Sequence, residues 1–173
     1  MEKLNFTPEK TALNFGLLLG GISVIFGIML YVLDMHYHDD TSTSLISYTF
    51  LIGIIVWGII HFRKENNGYL TLSNALKTGL GIALISSITV IYIIYLINFI
   101  DPEFIDKSME FQKQKMLQEN PEISIENVNK MIDMQKEFSG PFIIAGFIII
   151  FNLFFGFIIS LISGLMLKKS QPE

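Results

Sequence analysis

The chain has 173 residues, of which 51% are hydrophobic and only 16% charged, with a mean hydropathy of +0.51, too apolar for a soluble domain of this size. Its net charge of −4 and its lack of a basic patch argue against nucleic-acid binding. The absence of cysteine excludes disulfides, thiol chemistry and cysteine metal sites.

In chain order, Thr7-Pro8 reads as an N-cap followed by proline at the first helical position. No charge then occurs over residues 11–33, long enough at about 1.5 Å per residue to cross a hydrocarbon core of roughly 30 Å. The segment runs into Tyr31, Asp34 and His36 rather than a small-residue cleavage site, so a retained span is expected. A second span is expected over 45–62, with Tyr48, Trp57 and Phe62 toward its ends and Arg63-Lys64 as its stop. The turn Glu65-Asn66-Asn67-Gly68 follows, and Thr71 or Ser73 can cap a third helix spanning 74–100, with Lys77 in its first turns snorkelling to the headgroups.

Residues 101–140 are the polar region, predicted as a helical arm between the third and fourth spans. Asp101-Pro102-Glu103 has the order of a cap, a proline and an acid. Phe104, Ile105, Met109, Gln112 and Met116 line one side of the helix that follows. Asn120-Pro121 breaks it, and Ser124 can cap a second helix bearing Ile125, Val128, Ile132, Gln135 and Phe138 at three/four spacing. After Gly140-Pro141 a fourth span runs over 142–167 and closes at Lys168-Lys169. The fold class expected is therefore an all-α membrane bundle of four spans, a single domain with one extracytoplasmic helical arm.

Lys3, Lys10, Arg63, Lys64, Lys77, Lys168 and Lys169 flank one set of span ends, while the 34–44 loop has neither lysine nor arginine. The positive-inside rule then places both termini in the cytoplasm and the arm outside.

Three spans carry small residues at helical spacing: Gly16, Gly20, Ser23 and Gly27; Ala75, Gly79, Ala83 and Ser87; Asn152, Gly156, Ser160 and Gly164. Such faces let helices approach closely. Packing within the chain is the first expectation and homo-oligomerisation the second.

Asp34, His36, His38, Asp39 and Asp40 offer metal-ligand chemistry in the first outer loop, but a charged helix stop explains them as well. No second ligand cluster is expected outside, so no metal site is assigned. The spans place no readily charged residue at depth, which disfavours ion-coupled transport and intramembrane catalysis. No enzyme activity and no cofactor are expected. Ser23, Ser86, Ser87, Thr89 and Asn152 do fall near one depth, with Gly53 beside them, and read either as interhelical glue or as a polar pocket. In the arm, Phe104, Ile105, Met109, Met116, Val128, Ile132 and Phe138, together with Met131 and Met134, form an adaptable apolar seam. It either awaits a membrane or periplasmic protein partner or is satisfied internally.

The chain resembles a family of small four-span membrane proteins of Bacteroidetes, domain of unknown function four-one-nine-nine. The resemblance is carried by Asn67-Gly68-Tyr69-Leu70-Thr71-Leu72, Ala75-Leu76-Lys77-Thr78-Gly79, Asp101-Pro102-Glu103 and the Lys/Gln/Met-rich arm. It implies an inner-membrane location and this topology, and transfers no catalytic residue. The functional expectation is a non-enzymatic scaffold or accessory subunit that binds a protein through its arm, with a passive carrier or channel for a small or lipidic solute as the alternative.

Overall fold

The structure is a computed structural model that describes residues 7–33 and 41–170. It contains six helices among the described residues: α1 (Pro8–Val32), α2 (Thr41–Glu65), α3 (Leu72–Ile100), α4 (Phe104–Glu119), α5 (Ile125–Glu137) and α6 (Pro141–Leu167). Of these, α1, α2, α3 and α6 are long and apolar enough to cross a membrane.

Local chemistry sets the helix ends. The Thr7 hydroxyl accepts from the Lys10 amide, with Pro8 at the first helical position. After α2 the chain reverses through Asn67 (φ 55°) and Gly68 (φ 82°), left-handed geometry that asparagine and glycine tolerate best. The Gly68 amide donates to Arg63 O at 2.9 Å. Thr71 then caps α3 by accepting from the Asn74 amide, and Ser124 caps α5 through Asn127. At the other end of α3 the expected capping order is shifted. Asp101 is the C-cap of α3 and Glu103 the N-cap of α4, with no side-chain cap bond. The Asp101 carboxylate instead accepts from the Glu103 amide and the Lys107 ammonium, both at 3.2 Å, and this hydrogen bond raises the Lys107 pKa.

Helix α3 is the centre, touching each of the other three long helices. It runs parallel to α1, with Ala12 against Gly81, Gly16 against Ile85 and Gly20 against Thr89. It runs antiparallel to α6, where Ala75 meets Gly164, Gly79 meets Ser160 and Ala83 meets Gly156. A Cβ added to Gly156 would lie 2.7 Å from Ala83 Cβ, and one on Gly164 would lie 2.8 Å from Ala75 Cβ. Backbones this close gain dispersion contacts that bulkier residues would prevent, which matters where lipid supplies no hydrophobic drive between helices. Helix α2 covers the crossing with Ile55 and Ile59, both fully buried, and the Phe15 ring meets Trp57 edge-on at 5.3 Å. The packing expected of the glycines does not extend to Gly27, where an added Cβ would meet nothing within 4 Å.

Backbone bonds between Leu70 and Lys169, 3.0 Å in both directions, fasten the start of α3 to the end of α6. Together with the helix directions, this gathers Lys10, Arg63, Lys64, Lys77, Lys168 and Lys169 at one end of the long helices and α4–α5 at the other.

Thr78 has the buried side-chain hydroxyl that lacks a hydrogen-bond partner among the described residues. Thr78→Val keeps the shape and removes that orphan, so thermal melting of the purified protein should show equal or higher stability, by up to about 1 kcal/mol. A marked loss would mean that the hydroxyl has a partner.

Candidate functional site

Two regions drew attention in the sequence, and the structure treats them differently. In the arm, α4 and α5 form an antiparallel hairpin whose seam is closed on itself. Met109, Val128 and Ile132 are buried together, with Ile105, Met116 and Leu117 packed against them. Gln135 Nε2 donates to Gln112 Oε1 at 2.9 Å, and the Lys136 ammonium pairs with Asp106 at 3.3 Å. Of the two readings of this seam, the internal one describes Met109, Val128 and Ile132, where each helix buries the other's apolar stripe. Phe104, Ile105 and Met116 are half-buried, and Phe138 is exposed, as are Met131 and Met134 on a neighbouring stripe of α5.

The polar residues of the long helices meet more pointedly. A notch of about 310 Å³ is walled by Ser23 and Phe26 of α1, Ser47 and Tyr48 of α2, Ser86 of α3 and Asn152 of α6. Leu19 and Leu51, both buried, line its lower part, and beyond them Ile55, Ile82 and Ala83 have no exposed surface. The notch is therefore blind toward the cationic end. Further along α1, Gly27 and Leu30 line it, and a Cβ added to Gly27 would meet nothing within 4 Å.

Its chemistry is neutral. Among the described residues, those around it include no aspartate, glutamate, lysine, arginine or histidine. Asn152 Nδ2 donates to Ser87 Oγ at 3.0 Å, and Ser87 Oγ donates to Ala83 O at 2.7 Å. Ser86 Oγ donates to the same carbonyl at 3.0 Å, and Ser47 Oγ to Thr43 O at 3.0 Å. Such a site can orient a neutral ligand by hydrogen bonds.

Of the residues aligned by depth in the sequence, Ser23, Ser86 and Asn152 reach the notch, and Ser87 supports it from behind. Thr89 instead faces Gly20 and donates to Ile85 O, while Gly53 is exposed with nothing nearby. Ser47 and Tyr48 were missed. With α2 taken to begin at residue 45 they sat at its edge, whereas the helix starts at Thr41 and carries them inward.

Among the described residues no group of three or more histidine, aspartate or glutamate side chains stands ready for a metal. The Asp34, His36, His38, Asp39 and Asp40 cluster lies outside the described residues.

No curated protein and no solved structure matches the chain. A family model described as "Protein of unknown function (DUF4199)" matches residues 14–169. Covering both the notch and the hairpin, that match makes the chain a member of this family of unknown function.

Proposed function

We propose that the chain is a non-enzymatic, multi-pass protein of the bacterial inner membrane that holds a small or lipidic solute in the notch between its long helices. The observation that carries this reading is the convergence of uncharged polar side chains from all four helices on one cavity of about 310 Å³. Helix interfaces need a few such groups as glue, but glue is spent on neighbouring helices, and here much of it lines open space. Because the notch is blind, a binding or carrier role is favoured over a channel. The cations gathered at one end support cytoplasmic termini and an outward-facing hairpin.

Asn152→Leu tests the reading. It removes the hydrogen bond to Ser87, worth about 0.6 kcal/mol in membranes, so the protein should stay folded. The small molecules that copurify from native membranes, measured by mass spectrometry, should fall in amount, and flux in proteoliposomes should change with them. Unchanged occupants and unchanged flux in a folded variant would remove the proposal.

A second reading keeps the hairpin as a docking arm for a membrane or periplasmic protein. It rests on Met131, Met134 and Phe138, exposed at i, i+3 and i+7 along α5.

A further inference from the structure

We infer that the notch selects an uncharged amphiphile with a hydroxyl head group on a hydrocarbon chain and rejects charged lipids; this rests on the reading of the notch as a binding site.

The first support is electrostatic. Among the described residues no aspartate, glutamate, lysine, arginine or histidine lines the notch, so a carboxylate or ammonium entering it would lose its water without finding a counter-charge among them. That cost exceeds what a few neutral hydrogen bonds return.

The second is the hydrogen-bond inventory. Ser87 Oγ has given its proton to Ala83 O, so it can only accept from Asn152. This fixes the amide with Nδ2 toward Ser87, and Oδ1 has no hydrogen bond among the described residues. Ser86 and Ser47 have likewise donated to main-chain carbonyls and offer the notch lone pairs only. Ser23 and Tyr48, which make no hydrogen bond among the described residues, can either donate or accept. The site is thus richer in acceptors than in donors. A hydroxyl meets it by donating to Asn152 Oδ1 and accepting from Ser23, Tyr48 or the second Nδ2 hydrogen of Asn152, whereas a ketone can only accept, from that second group of partners.

The third is the apolar continuation. Phe26, Leu30, Phe50 and Val90 line the rest of the notch. One helical turn beyond Gly27 and Val90, Tyr31 and Ile93 belong to an apolar groove of about 230 Å³ between α1 and α3. A chain carried by the head group therefore has hydrocarbon surface to follow toward the hairpin end.

Free long-chain alcohols and diacylglycerols share this chemistry. The test presents the intact protein in detergent with 1-dodecanol, 2-dodecanone, dodecanoate and dodecane at pH 8, with didecanoylglycerol as a fifth arm. Binding is read by native mass spectrometry and by the shift in melting midpoint. The expected result is dodecanol, or didecanoylglycerol, ahead of dodecanoate and dodecane by about tenfold in affinity, with the ketone between. The preference should fall toward parity in Ser23→Ala/Asn152→Leu, and all binding should be lost in Gly27→Phe, which fills the notch. Better binding of the glyceride would name a membrane lipid as the source, and better binding of the alcohol a free amphiphile. Dodecanoate or dodecane binding as well as dodecanol, but only in the unfilled notch, would overturn the class and leave the binding site standing. Binding of none, or binding indifferent to Gly27→Phe, would overturn both.

Discussion

Gly79→Ile is expected to open the α3–α6 interface and lower the melting midpoint of the purified protein by several degrees. A Cβ at this position would sit 2.8 Å from Ser160 Cβ and 3.2 Å from Ile55 Cγ2, so neither turning the Ser160 hydroxyl nor shifting one side chain makes room. The helices must separate. Ala83–Gly156 and Ala75–Gly164 close at the same spacing one turn to either side, so contacts along the whole crossing are lost together. Overpacking a tight core costs about 1–3 kcal/mol, and a domain of this size loses roughly 2–4 °C per kcal/mol. Gly146→Ile on α6, where an added Cβ meets nothing within 4 Å, is the control and should melt like the parent. A reciprocal exchange sharpens the test: Ser160→Gly should recover most of what Gly79→Ala loses, because one Cβ at this crossing replaces the other. Equal stability of Gly79→Ile and Gly146→Ile would show that α3 and α6 do not meet along this face.

Val128→Asp should take the hairpin apart and leave the long helices intact. Val128 has no exposed surface, and its neighbours in the seam are Met109 and Ile132. A carboxylate placed there is an unpaired buried charge, a penalty of several kcal/mol against a seam with only three buried residues. The Gln112–Gln135 and Asp106–Lys136 contacts cannot hold the helices alone, since exposed pairs contribute about 0–1 kcal/mol. Limited proteolysis should cut residues 104–137 quickly while the melting of the remaining helices is unchanged. Met131→Asp, at an exposed position three residues on, should leave the hairpin resistant. Protease resistance of Val128→Asp equal to that of Met131→Asp would mean that the seam does not close the arm. If a protein copurifies with the parent but not with Met131→Asp, whose hairpin stays closed, the exposed stripe of α5 is what it binds.

The long helices were legible because hydropathy over twenty or more residues is a local property, summed along the chain without reference to any other segment. Capping was legible at Thr7, Thr71 and Ser124 for the same reason, since each acts on amides three residues away. It was less so at Asp101, where the carboxylate serves Glu103 and Lys107 at once and the chain ends one helix there before starting the next. Small residues four apart announced faces able to pack closely, but spacing does not name the partner. Gly20 and Gly27 belong to the same pattern, yet one lies against Thr89 and the other lines open space. That difference lies in what each glycine faces across helices, which spacing within α1 does not carry.

The hairpin seam shows a related limit. An apolar stripe on each of two connected helices has the same sequence pattern whether it is presented outward or buried against its neighbour. The tertiary structure decides for burial at Met109, Val128 and Ile132 and leaves Met131, Met134 and Phe138 uncovered.

By itself, then, the sequence determined an all-helical chain with four segments fit to cross a membrane, the ends of most helices and the absence of charge at depth. These follow from composition and from interactions within about one helical turn. Only the tertiary structure decided which residues of α1 and α6 meet α3, that the arm closes on itself, and that Ser23, Ser47, Tyr48, Ser86 and Asn152 surround one space. Residues far apart in the chain share a cavity only through helix direction, register and crossing angle, and these are set by how side chains on different helices fit together.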